Sequence, residues 1–273
     1  MDQIEKFIAL NDPGEVGRSE HNRGDRLIIG IGNFFAWLFP LLMMAIVLQV
    51  LLRNFGRVDI GPGNQAWLDD LQWWMYGAAV LIGIAYAVTT NAHVRVDIFY
   101  EHFSRERQTR IEIFALTWLL LPFIILCWDT TIHYAWSSIL AQEGSDSPNG
   151  LHGLYLLKVF MNLTFVIMGV AIWSAYVRYL SRLTQPTLFK QLLVAFPSTM
   201  YLINLVVYYV LYWYLYLGLE EGDNPRTILR NPIFDEIEVG AQDIKVTILI
   251  TVVATALVLG VAYLLFNRRS QEA

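Results

Sequence analysis

Six stretches of this chain are apolar and nearly free of charge over roughly 20 residues, the length at which a helix crosses about 30 Å of hydrocarbon. They run from Leu27 to Leu52, Leu71 to Thr90, Ile111 to Ser138, Val159 to Val177, Leu192 to Leu219 and Val246 to Asn267. Hydrocarbon offers a backbone amide no partner, so each stretch must close its hydrogen bonds within itself, as a helix. The joints between them are short and carry turn residues, as in Gly144-Ser-Asp-Ser-Pro-Asn-Gly150 and Glu220-Glu-Gly-Asp-Asn-Pro225. None is long enough to hold a second soluble domain. Charged residues make up 16% of the 273, against about 25% in an average soluble protein. The expected fold class is all-α: a polytopic membrane protein of six transmembrane helices.

Orientation follows from Lys and Arg, which collect in short cytoplasmic loops. With the N-terminus placed inside, 13 of the 19 basic residues fall on the cytoplasmic side. The last outer loop is acidic, with Asp223, Asp235, Glu236, Glu238 and Asp243. Both termini are therefore expected in the cytoplasm. The first 26 residues are polar, broken by Pro13, Gly14, Gly17 and Gly24, and show no signal-peptide pattern, so the first apolar helix is expected to act as the insertion signal.

Several function classes lose support. A net charge of -5 offers no basic field for nucleic acid. Cys127 stands alone in an apolar run, so it supplies neither a disulfide nor a cysteine metal site. Haem between helices needs axial ligands within the spans, yet His21, His93, His102 and His152 map to joints, leaving His133. No His-Glu-x-x-His pattern and no nucleophile elbow is present. The reading is a non-enzyme without cofactor or metal.

Trp67, Trp73, Trp74, Trp136 and Trp213 fall at expected outer interfaces and read as belt anchors. Trp37, Trp118, Trp128 and Trp173 lie deeper and are expected to pack between helices. In the fifth span Tyr201, Leu205, Tyr208 and Tyr212 share one helical face, read as a packing surface, with a substrate-lining stripe as the sharper alternative.

Ionisable groups at membrane depth are costly and usually functional. Asp129 is the clear case, and His133 lies four residues on, so the two share a helix face and can pair. Lys158 opens the next helix and is expected to reach the same outer region by snorkelling. A structural cluster near the outer interface is the favoured reading, a proton relay the alternative. The other spans offer Gln49, Asn162, Asn204 and scattered Ser and Thr. Pro40, Pro122 and Pro197 lie in spans without the glycine-rich unwound segments typical of carrier ion sites.

The joint between the second and third spans is the most informative stretch: Asn91-Ala-His-Val-Arg-Val-Asp-Ile-Phe-Tyr-Glu-His-Phe-Ser-Arg-Glu-Arg-Gln-Thr-Arg110. Asp97 can cap a short interfacial helix bearing Phe99 and Phe103, and Ser104 can cap the long third helix with Glu106 in its first turn.

The sequence His93-Val-Arg-Val-Asp97 follows a span ending Ala85-Tyr-Ala-Val and precedes Phe103-Ser-Arg-Glu-Arg107 and a long span with Leu120-Leu-Pro-Phe123. This order resembles the small integral membrane subunit, of DctQ type, of tripartite ATP-independent periplasmic (TRAP) transporters, over roughly Leu27 to Leu183. The resemblance implies a multi-pass protein of the bacterial inner membrane that braces a large permease subunit. That permease would carry the solute and sodium sites for symport, and a periplasmic solute-binding protein would deliver an anionic solute, commonly a carboxylate. Within the motif, His93, Arg95 and Asp97 would hold the cytoplasmic joint or touch the partner. The organisation so implied is a cytoplasmic segment (1–26), a family-like four-helix region (27–183) and an extension of two further spans (184–273). The rival reading is a self-sufficient ion or solute carrier using an Asp129/His133 relay; a membrane-bound redox or hydrolytic enzyme is a third.

Overall fold

The computed structural model describes residues 18–92, 100–219, 225–239 and 242–267. Six helices long and apolar enough to cross a membrane dominate it: Arg23–Arg57, Ala66–Thr90, Arg105–Leu140, Tyr155–Leu183, Phe196–Leu217 and Val246–Phe266. They are the six spans read from the sequence, most of them longer at their ends. We call the side where the first span begins and the sixth ends the inner side. The chain is an all-α membrane protein, with 81% of its described residues helical and one feature the hydropathy pattern did not contain. In the outer joint before the last span, β1 (Glu236–Val239) and β2 (Gln242–Lys245) pair antiparallel, Glu236 opposite Lys245.

Helix ends follow capping chemistry. The first helix starts at Arg23, four residues before the apolar run, because Asn22 and Asp25 form a reciprocal capping box: the Asp25 amide donates to Asn22 Oδ1 at 3.0 Å and the Asn22 amide to Asp25 Oδ2 at 3.1 Å. Ser104 caps the third helix, its hydroxyl accepting from the Arg107 amide, as expected from the sequence.

Each membrane proline leaves a mark, because its ring cannot donate and collides with the carbonyl four residues back. Pro40 breaks the first span into Arg23–Ala36 and Leu38–Arg57, parted at Trp37. Upstream of Pro122 the third span widens into a π turn over Ala115–Leu120, with the Leu121 amide bonded to the Leu116 carbonyl. Pro197 separates a short helix, Leu188–Val194, from the fifth span, so the single apolar run beginning at Leu192 is two helices meeting at Ala195.

The fourth span is central, with the second and third against it; the first packs on the second, the fifth on the third, and the sixth on the fifth. Alanines make the close approaches possible: Ala85, Ala171 and Ala175 are fully buried beside Ile172, Met168 and Tyr176. In lipid, where apolar surface gains little by leaving the solvent, small residues that let backbones approach are what favours association. The Tyr176 hydroxyl donates to the Gln191 carbonyl at 2.9 Å, tying the short helix to the core.

Trp128 and Trp173 pack against this core as expected, but Trp37 does not, standing 71% exposed. It sits at the break upstream of Pro40, where the ring faces outward.

Candidate functional site

The described ionisable side chains gather toward the two ends of the bundle, and some of them pair with one another. On the inner side, Asp25 (0% exposed) forms an ion pair with Arg178 (7% exposed), Oδ2 lying 2.9 Å from Nη1. Arg178 Nη2 also donates to the Thr89 carbonyl at 2.8 Å, and Asn22 Nδ2 donates to the Ser174 carbonyl at 2.8 Å. One cluster therefore fastens the entry of the first span, the exit of the second and the inner end of the fourth. Sequence reasoning counted Arg178 among the loop charges and overlooked this pair. The available signal was the capping box, which draws Asp25 into a helix whose inner turn must lie against a neighbour.

On the outer side the first two spans are pinned by amides. Gln49, buried in the first span, donates through Nε2 to Asn64 Oδ1 at 2.7 Å and to Asp69 Oδ1 at 3.0 Å, while Arg53 Nη2 reaches the same Asn64 oxygen at 3.0 Å. Asp70 Oδ2 accepts from the Leu151 amide at 2.9 Å, which anchors the joint between the third and fourth spans to the second. Asn162 Nδ2 donates to the Trp128 carbonyl and to Thr131 Oγ1, both at 2.9 Å.

Asp129 and His133 lie on one face of the third span, and the fifth span joins them. The Tyr209 hydroxyl donates to Asp129 Oδ1 at 2.7 Å and sits 3.3 Å from His133 Nε2. The tyrosine face expected at Tyr201, Leu205, Tyr208 and Tyr212 is partly a packing face: Leu205 is buried, Tyr201 touches the core, and Tyr208 and Tyr212 stack on each other. The polar contact itself falls to Tyr209, one turn beyond Leu205, which sequence reasoning missed.

Lys158, expected in this outer region, bonds to Glu143 in the outer joint and lies over the Tyr134 ring, 4.0 Å from its centroid. Glu143 also accepts from the Ser138 hydroxyl at 2.6 Å. The Lys158 bond, then the Ser138 bond, hold the Glu143 carboxyl below the usual carboxylate range. The physical reason is reach: from the first turn of its helix the Lys158 stem points outward, where an acidic loop waits within snorkelling distance.

His93, Arg95 and Asp97 lie outside the described residues, as do Phe99 and the cap expected at Asp97. On the inner side, Arg105, Glu106, Gln108, Thr109 and Arg182 line a polar cleft of about 810 Å³. Among the described residues no three of His, Cys, Asp and Glu converge as a metal site would require.

Fold and polar clusters together define a polytopic membrane protein in which ion pairs join separate segments near the two ends of the bundle. Residues 42–149 match the family model of tripartite ATP-independent periplasmic transporters, DctQ component. Over that stretch, about two-fifths of the chain, it is similar to the small membrane component of these transporters, a family of multi-pass inner-membrane proteins that are transporter components. The match is narrower than the likeness over Leu27 to Leu183 and takes in the second and third spans with the motif between them. No curated protein matches the chain, and no solved structure does.

Proposed function

We propose that the chain is the fixed bracket of a sodium-coupled TRAP-type symporter. It would hold a large permease subunit in place while that subunit takes up an anionic solute, a carboxylate by class, delivered by a periplasmic solute-binding protein. The supporting observation is where its polar groups stand. Asp25 and Arg178 pair at the inner end and Lys158 and Glu143 at the outer; among the described residues the carboxyl lying deeper in the spans is Asp129, on the outer side and bonded by Tyr209. A carrier would need ionisable groups near the midplane to bind and release its cargo, whereas a bracket needs a rigid apolar body with interlocked ends. In this reading His93, Arg95 and Asp97 hold the inner joint or touch the permease, and the last two spans extend the bracket.

Purification from its native membrane in mild detergent, followed by mass identification of what accompanies it, tests the proposal. A larger membrane protein should co-purify, and deletion of the chain should abolish solute uptake. Recovery of the chain alone, with uptake intact in its absence, would overturn the reading. The rival carrier draws on the Asp129, Tyr209 and His133 contact. Reconstituted alone, the chain should carry no flux if it is a bracket, and a flux that Asp129→Asn abolishes if it is a carrier.

A further inference from the structure

The first span turns one of its faces away from the bundle. Ile28 is buried in the core, and on the opposite side of the same helix Arg26, Gly30, Asn33 and Trp37 recur at helical spacing, all of them exposed.

Depth sets this stripe apart from an ordinary lipid-facing surface. Arg26 stands at the inner edge of the apolar run that begins at Leu27. Asn33 then lies about 10 Å along the axis and Trp37 about 16 Å, within about 30 Å of hydrocarbon. Belt tryptophans sit at headgroup level, and Trp37 is too deep to be one. Neither the Asn33 amide nor the Trp37 indole bonds through its side chain to a described residue. Comparable groups elsewhere in the spans do: Asn162 bonds Trp128 and Thr131, Asn204 accepts from Thr251, and the Trp118 indole donates to the Val194 carbonyl at 2.9 Å. Acyl chains offer an amide or an indole N–H no partner, whereas a neighbouring helix does. Space is available for one. A Cβ on Gly30 would meet nothing within 4 Å, which leaves the backbone open to close approach, and Asn33 borders a groove of about 250 Å³ between the first and second spans.

Charge decides what kind of protein fits. Arg26 forms no ion pair with a described residue. Two copies of the chain packed symmetrically through this stripe would set Arg26 against its own counterpart, a like-charge contact. A different chain with a carboxylate at the inner boundary would gain from the same cation. We propose that Arg26, Gly30, Asn33 and Trp37 form the docking face for a transmembrane helix of the large permease subunit. That helix would carry a carboxylate opposite Arg26 and a hydrogen-bonding side chain about 10 Å deeper, opposite Asn33. The docking face rests on the bracket reading and adds to it which surface is covered, and by what chemistry.

The test places a photo-crosslinking phenylalanine analogue at Phe34, exposed on the flank of the stripe, in the full chain in its native membrane. Illumination should join the chain to the larger membrane protein that co-purifies with it, identified by mass. After dilution in detergent until half the parent adduct is lost, Asn33→Leu should lower the yield about 3- to 18-fold, the factor expected for one interhelical polar contact. Arg26→Glu should also lower it, and Asn33→Gln, which keeps the amide, should retain most of it. Thermal unfolding of the chain alone should not fall with Asn33→Leu, since that amide holds nothing within the chain; lost yield is then lost docking. An adduct with a second copy, no adduct although the larger protein co-purifies, or a yield that Asn33→Leu or Arg26→Glu leaves unchanged would each overturn the docking face while the bracket reading stands. If no larger membrane protein co-purifies at all, the bracket reading falls and the docking face with it.

Discussion

Asp25 and Arg178 form an ion pair at the inner end of the bundle, 2.9 Å apart, although 153 positions separate them in the sequence. The pair has a second layer: Arg178 bonds the Thr89 carbonyl and Asp25 closes the capping box with Asn22. Three spans meet through these two side chains, the first, second and fourth.

Removing one partner should therefore hurt more than removing both. Arg178→Met leaves a buried carboxylate uncompensated and should cost about 3–5 kcal/mol, whereas adding Asp25→Asn should restore much of that loss. Thermal unfolding of the four proteins of this cycle in detergent, with the coupling read from the double variant, checks it. Additive losses would show that the pair does not act as a unit.

Glu143 sets an acid limit on the outer joint. Its carboxyl is held low in the folded protein by Lys158 and then Ser138. A depressed folded value means that the contribution is present above the ordinary carboxylate range and lost as pH falls through the lowered value. Acidification should release the joint over residues 141–154, seen as faster amide exchange there. Glu143→Gln should exchange at the fast rate already at neutral pH and lose the acid dependence.

The outer turn between the first two spans depends on two glycines in contact. A Cβ on Gly56 would lie 2.2 Å from Gly63 Cα, and Gly63 has φ +75°. The obstacle is backbone, which cannot swing aside, so Gly56→Ala should cost about 1–3 kcal/mol by overpacking. It should also displace Asn64 from Gln49, to be read as faster exchange at the outer end of the first span. Gly77→Ala, where a Cβ would meet nothing within 4 Å, is the control and should be near neutral.

The spans were legible because their cause is local: an uncharged run of sufficient length in lipid has one structure open to it. Ser104 was legible for the same reason, since a cap and its amide lie three residues apart. Arg178 was not, because a guanidinium five residues from the end of a helix reads as loop charge until the first span is seen to lie beside it. Lys158 was expected in the outer region without a named partner, since sequence gives the stem's reach but not the fold of the loop around Glu143. Tyr209 was hidden among its neighbours: six tyrosines in one helix make the aromatic pattern obvious and the single hydroxyl that meets Asp129 invisible. The hairpin β1 and β2 lies between spans, where hydropathy carries no information about pairing.

The sixth span is held to the fifth by hydroxyls and one amide. Thr247, Thr251 and Thr255 form a buried stripe at helical spacing, and Thr251 Oγ1 lies 3.1 Å from Asn204 Oδ1 while donating to the Thr247 carbonyl at 2.7 Å. Threonines that bond their own backbone hide their polarity from lipid and leave a narrow flank against which a neighbour can pack. Thr251→Leu enlarges that flank as well as removing the hydroxyl, whereas Thr251→Val keeps the shape. Interhelical polar contacts in bilayers average about 0.6 kcal/mol and reach about 1.7. Thr251→Val should therefore weaken the association of the last two spans by an amount in that range, and Thr251→Leu by more. Disulfide trapping between cysteines placed at the inner ends of the two helices reads this out. Equal trapping in all three proteins would show that neither the hydroxyl nor the narrow flank holds the sixth span in place.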